Sequence, residues 1–237
     1  SFIAIVENNL LIYTGDFRAH GPLSSVLNSQ FWDYSRKLKS ENKFRSVTVV
    51  TEGTNFGLPF EFKPQESLET RINEIFHQYR KELVAIVVNY NEIWDIFSII
   101  RMNRNLDVPR KVVMSKAIGK FLASIKDSFL EDYKRAVTRD GLLSFEELMS
   151  LYNYIIYDYN RPSGLEVLRE IAQEPSKYIL FLTRTDAFTA LERVAVLSGH
   201  AGGCCVLSFS TGETDSSSTI RIFAKGIGQI GYCVEKT

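Results

Sequence analysis

The sequence contains no long apolar run. No segment approaches the ~20 consecutive apolar residues that a bilayer crossing requires, so no membrane span is expected. No signal-peptide pattern opens the chain, whose first residues already read as a strand. Charge of one sign is not in excess: 28 Lys and Arg balance 28 Asp and Glu, for a net charge of zero. That excludes the global basic field of many nucleic-acid binders and leaves only a local basic cleft for such a partner. Cysteine is scarce and odd in number, at Cys204, Cys205 and Cys233. An odd, clustered set argues against a disulfide framework and for a reducing interior, so cytoplasmic localisation and buried structural thiols are expected. Histidine is scarcer in function than in number: His20, His77 and His200 stand singly, no two at metal-ligand spacing. His77 reads as a surface residue of a helix. No Gly-x-Gly-x-x-Gly or P-loop follows an expected strand, which weighs against a mononucleotide-binding domain.

What is present fits a layered protein. A chain of 237 residues buries roughly 70–75 % of its unfolded surface, enough for one large α/β domain or a domain with a flanking piece. Phe2 to Val6 and Leu10 to Tyr13, separated by Glu7-Asn8-Asn9, read as a hairpin. Ser24 to Leu38 has helical spacing, Ser46 to Val50 is a β-branched strand, and Thr51 to Phe60 is a loop. Gln65 to Leu83 places Leu68, Ile72, Ile75, Phe76 and Tyr79 on one helical face.

Then come four apolar runs without alternation: Val84 to Val88, Lys111 to Met114, Tyr178 to Leu182 and Cys204 to Leu207. Strands buried on both faces of a parallel sheet read this way. Helical patterns separate them at Glu92 to Arg104, Lys116 to Lys126, Ser144 to Tyr157, Gly164 to Gln173 and Asp186 to Leu197, with another at Ser217 to Lys225. The expected fold class is therefore α/β, a three-layer αβα sandwich on a mainly parallel sheet.

Open parallel sheets bind ligands at the carboxyl ends of their strands. Those ends carry Asn89, Ser115, Thr183-Arg184 and Ser208 to Gly212. Arg184, Ser208, Ser210 and Thr211 are the candidate substrate-binding residues, because small polar residues and a glycine can turn backbone N–H groups toward an anion. The same residue types also end strands simply by capping helices and satisfying loops. Tyr133, Tyr152, Tyr154, Tyr157 and Tyr159 crowd the middle of the chain. They could stack on the bases of a single strand, but packing against the domain is favoured.

Two short stretches carry a resemblance. Tyr13-Thr14-Gly15-Asp16-Phe17-Arg18-Ala19-His20-Gly21 sets an aspartate just past a strand, and Val49-Val50-Thr51-Glu52-Gly53-Thr54 sets a glutamate just past another. These resemble the aspartate motif and motif A of metallo-β-lactamase-fold nucleases that carry a β-CASP insert. Glu66 or Glu69 then opens a helix, as in that family, and the strand–helix alternation follows in the family's order.

The resemblance implies that residues 1–60 are the edge of the metal domain and residues 61–237 the Rossmann-like β-CASP domain. It implies that Asp16 bridges two zinc ions, and that Glu52 handles a proton or orients a histidine near the leaving group. His20 would hold the turn rather than bind metal. Ser198-Gly199-His200 spells the family's motif B, whose histidine is a ligand, but an apolar strand follows it directly. A glycine-rich turn leading to the last parallel strand is the preferred reading of Ser198 to Gly203.

The family's upstream His-x-His-x-Asp-His is absent, so the chain is expected to be a fragment without hydrolytic activity of its own. The implied partners are single-stranded RNA or DNA and the missing metallo-β-lactamase half, with a homodimer left open. The competing class is a non-catalytic α/β binding or scaffolding module.

Overall fold

The computed structural model describes residues 2–14, 24–51, 65–90, 92–137, 145–158, 161–199, 202–208 and 218–236. The chain divides into two compact units, residues 1–65 with 135–142, and residues 66–134 with 143–237.

The first unit holds a three-stranded sheet. β1 (Phe2–Val6) pairs antiparallel with β2 (Asn9–Tyr13), and β2 pairs parallel with β3 (Ser46–Val50). Glu7 and Asn8 form the two-residue turn, with φ of 48° and 65°. Two left-handed residues give the hairpin the twist its strands already have. Asn9 caps the turn through Nδ2 to the carbonyls of Val6 and Glu7, and its Oδ1 accepts from Ser46 at 2.8 Å. The crossover from β2 to β3 carries α1 (Ser24–Glu41).

The second unit is built on six parallel strands in the order β6-β5-β7-β4-β8-β9. In chain order its elements are α2 (Gln65–Gln78), β4 (Leu83–Val88), α3 (Ile93–Arg104), β5 (Lys111–Ser115), α4 (Lys116–Val137), α5 (Phe145–Leu151), β6 (Ile155–Tyr157), α6 (Pro162–Gln173), a 3-10 turn, β7 (Tyr178–Leu182), α7 (Arg184–Ser198), β8 (Gly203–Ser208), α8 (Ser218–Gln229) and β9 (Cys233–Lys236). Central β4, Leu83-Val84-Ala85-Ile86-Val87-Val88, is buried along its whole length, as its unbroken apolar run requires.

The strand order explains the layers. The connections β4 to β5 and β5 to β6 run toward one edge of the sheet, while β6 to β7, β7 to β8 and β8 to β9 run toward the other. Right-handed crossovers then put α3 to α5 on one face and α6 to α8 on the opposite one. The core agrees: Leu168 and Ile171 of α6, Ala187, Ala190, Leu191 and Val194 of α7, and Ile220 and Ile227 of α8 cluster with Leu83, Ala85, Val87, Leu180, Leu182, Cys205 and Leu207. The alternate strand positions, Val84, Ile86, Met114, Ile179, Phe181, Cys204 and Val206, point the other way and are also buried. Ile72, Ile75 and Phe76 of α2, Ile96 and Ile99 of α3, and Ile118 and Leu122 of α4 are the buried apolar residues left to cover that face. The protein is thus an α/β fold whose large sheet is wholly parallel.

Three elements differ from expectation. Ser144 to Tyr157 is not one helix: α5 stops at Leu151, and Ile155-Ile156-Tyr157 become β6. Two β-branched residues and a tyrosine met an open edge of β5, where Val113 pairs with Ile155, and pairing overrode the helical spacing. The helix expected to run to Leu83 ends at Gln78, because Leu83 is taken by β4. β8 is not the last parallel strand, since Cys233–Lys236 adds β9 beyond it.

Candidate functional site

In the first unit the strands leading to the two motifs end side by side. β2 and β3 run parallel in register, Tyr13 opposite Val50, and the Thr14 N–H donates to the Val50 carbonyl at 3.0 Å. Thr14 is buried and Thr51 exposed. Asp16 lies two residues beyond Thr14 and Glu52 two beyond Val50, so the chain delivers both motifs from one end of one pair of strands. Asp16, His20 and Glu52 themselves lie outside the described residues.

In the second unit the carboxyl edge of the sheet is built by Asn89, Ser115, Thr183 and Ser208 at the ends of β4, β5, β7 and β8. Thr183 caps α7: its Oγ1 accepts from the Asp186 N–H at 3.3 Å and donates to Asp186 Oδ2 at 2.7 Å. Its hydroxyl is therefore committed to the helix end. Arg184, one residue on, is exposed and lays its guanidinium over the Phe223 ring of α8, 6.0 Å from the centroid. Ser208 is the buried last residue of β8, paired with Val88. β4 separates β7 from β8, so Arg184 and Ser208 share an edge about two strand spacings, ~10 Å, apart. Ser210 and Thr211 lie outside the described residues.

The edge also holds Lys116, Asp158 and Arg161, which the sequence reading did not single out. Lys116 Nζ meets Asp158 Oδ2 at 2.8 Å, joining the ends of β5 and β6, and Arg161 Nε approaches the same oxygen at 3.6 Å. Ser115 Oγ is buried without a hydrogen-bond partner. A crevice is expected here, because the connection after β5 leaves toward one edge and that after β7 toward the other. The available signal was Ser115-Lys116 directly after an apolar run, the same pattern as Thr183-Arg184.

A cavity of about 390 Å³ lies instead at the opposite end of the sheet, among Arg104, Lys111, Asn153 and Tyr154. Parallel sheets place ligands beyond their carboxyl ends, so this amino-end hollow is a packing feature of the α3, β5 and β6 termini.

Tyr152, Tyr154 and Tyr157 pack against the unit, while the Tyr133 side chain and Tyr159 lie outside what is described. Tyr152 meets Phe97 edge-on at 5.5 Å with Lys126 over its ring, Tyr154 donates to the Gly119 carbonyl at 3.1 Å, and Tyr157 is in the core. Burial raises the pKa of the Tyr152 and Tyr154 phenols, which stay neutral. Glu69 of α2 forms an ion pair with Arg101 of α3 at 2.8 Å, and His77 is an exposed helix residue. Gly199 closes α7 in the left-handed conformation at φ 73°, and β8 starts at Gly203. The stretch from Ser198 to Gly203 thus joins a helix to a parallel strand; His200 lies outside the described residues. Cys204 and Cys205 are buried as expected, but Cys233 is exposed on β9.

Among the described residues no three His, Cys, Asp or Glu groups converge as a metal site. No helix among them is long and apolar enough to cross a membrane. No family model matches the chain, and no curated protein matches it in sequence.

Proposed function

We propose that this chain is the β-CASP portion of a zinc-dependent metallo-β-lactamase-fold nuclease that hydrolyses phosphodiester bonds in RNA or DNA. One observation carries the reading: the strands leading to Asp16 and Glu52 are parallel neighbours in register, tied by the Thr14 to Val50 hydrogen bond. Two carboxylates that serve one metal centre would have to leave the same edge, and the strands that precede both residues end side by side. The wholly parallel sheet of the second unit supports it further, with Arg184, Ser208 and Lys116 on the edge that would wall a cleft for a single strand.

On this reading Asp16 would be a zinc-holding carboxylate and Glu52 the proton-handling or orienting carboxylate. When bound, such ions supply a hydroxide and neutralise charge on a phosphate. The described residues do not by themselves fit a two-zinc centre, so the reading assigns the other ligands to polypeptide outside them. The small sheet supports a protein partner of that kind. It exposes Phe2, Ile5, Val6, Tyr13, Val47, Val49 and Val50, and every residue of β3 is exposed. Strands this apolar are stable in a solvent-excluding contact with further polypeptide.

The same exposed sheet favours the second reading, a non-catalytic scaffolding module. Binding to single-stranded RNA separates the two. The nuclease-derived cleft gives an affinity that falls steeply as salt rises, whereas a scaffold shows no binding even at low salt. Phosphodiesterase assays with added zinc should give no turnover from this chain alone; turnover above background would overturn its assignment as part of a larger enzyme.

A further inference from the structure

We propose that Cys204 and Cys233 are a redox pair, joined into a reversible disulfide by hydroperoxides. The inference is independent of the nuclease reading. The two residues are direct partners across parallel β8 and β9, Cys204 opposite Cys233. Opposed residues of neighbouring strands project to the same face, and strands stand ~4.8 Å apart. That spacing lies inside the ~4.4–6.8 Å range of Cα separations that a disulfide spans. β9 is a four-residue edge strand with a neighbour on one side only, so it can move the fraction of an ångström that the bond needs.

The two thiols differ in access. Cys233 is exposed, Cys204 is buried, and neither is in a disulfide. Burial, together with the nearby Glu235 carboxylate, pushes the Cys204 thiol pKa up, so it waits protonated. Attack therefore begins at Cys233. Tyr79, just past the end of α2, neighbours the Cys233 sulfur, and that neighbour, with burial, raises the phenol's pKa. Cys233 Sγ also lies 3.8 Å from Glu235 Oε1, and Arg71 neutralises that carboxylate through Nη2 at 2.6 Å.

The chemistry balances. The Cys233 thiolate attacks the peroxide, cleaving the O–O bond; sulfur is oxidised to sulfenic acid and the peroxide is reduced to an alcohol or water. The Cys204 thiol then displaces the sulfenic hydroxyl, whose oxygen leaves as water with the Cys204 proton. Two thiols and one hydroperoxide give one disulfide, one alcohol or water, and one further water. Cys205 provides an internal control: it faces the opposite core layer, and its partner across the strands is Val234.

The test treats the folded protein with hydrogen peroxide, counts thiols in denaturant and maps linkages by tandem mass spectrometry. Expected are loss of two of the three thiols, a mass lower by about 2 Da, a Cys204–Cys233 linkage that dithiothreitol reverses, and a free Cys205. Cys233→Ser should leave Cys204 reduced. The linkage closes a loop around α8 and should raise Tm by about 5–10 °C. Sulfinic acid at Cys233 beside a free Cys204, a Cys233 link between two molecules, or thiols that all survive peroxide would each overturn the proposal.

Discussion

Arg110→Met tests how the amino end of the large sheet is closed. Arg110 is only 6 % exposed, yet carries a guanidinium. Nη1 donates to the Glu82 carbonyl at 2.6 Å and Nη2 to the Tyr79 carbonyl at 2.7 Å, just past the end of α2, with the Phe76 ring 5.9 Å away. The 3.5 Å approach to the Tyr178 carbonyl adds little. Burial lowers the pKa of Arg110, the expected sign for a cation taken out of water.

Methionine preserves much of the apolar volume and leaves two backbone anchors in place, Asn103 Nδ2 to the Arg110 carbonyl and the Arg110 N–H to Asn103 Oδ1. The substitution therefore isolates the guanidinium. Glu82 loses the cation that meets its carbonyl, while Tyr79 keeps the N–H of Glu82 at 3.0 Å. A lost hydrogen bond to a charged group costs about 1.5–3 kcal/mol. Relief from burying the cation offsets part of this, because apolar replacements of buried charges are sometimes neutral. The Glu82 carbonyl stays orphaned, so the net cost is about 2–4 kcal/mol. That corresponds to a Tm lower by about 4–15 °C. Calorimetry or circular dichroism measures it. A change within about 1 °C would refute the claim that the guanidinium holds these carbonyls.

Three further outcomes follow from the same fold. Gly203→Ala should destabilise strongly, by about 3 kcal/mol or more, because its Cβ would stand 2.4 Å from the Leu83 carbonyl oxygen at φ 129°. Gly199→Ala, at φ 73° in open space, should cost only about 1 kcal/mol; equal losses in denaturant melts would remove the steric argument. Tyr178 has a pKa raised to about 12, by burial first and then by its hydrogen bond to Glu170 at 3.0 Å. A folded pKa above the unfolded value gives stability that is complete below about pH 10 and lost as pH climbs toward 12. Tyr178→Phe should flatten stability against pH in that window, and an unchanged slope would contradict the assignment.

Legibility in the sequence followed burial. β4 could be read because Leu83 to Val88 is buried on both faces, so its residues have no polar face to alternate. β6 and β9 were hidden because each is a short edge strand that forms only when a neighbour offers an open edge. At the site, Thr183-Arg184 and Ser208 were visible as polar residues ending apolar runs. The Lys116 to Asp158 pair was not, since its partners are 42 positions apart in the chain and meet only because β5 and β6 are adjacent.

The sequence alone set the α/β class, the hairpin of Phe2 to Tyr13, and the strand ends where the two motifs begin. These are local facts: side-chain periodicity and turn chemistry act within a few residues. Only the tertiary structure decided the order β6-β5-β7-β4-β8-β9, the registry of Tyr13 with Val50, and the pairing of Cys204 with Cys233. Those depend on which strands win a place beside one another, a competition settled by long-range burial that no window of sequence contains.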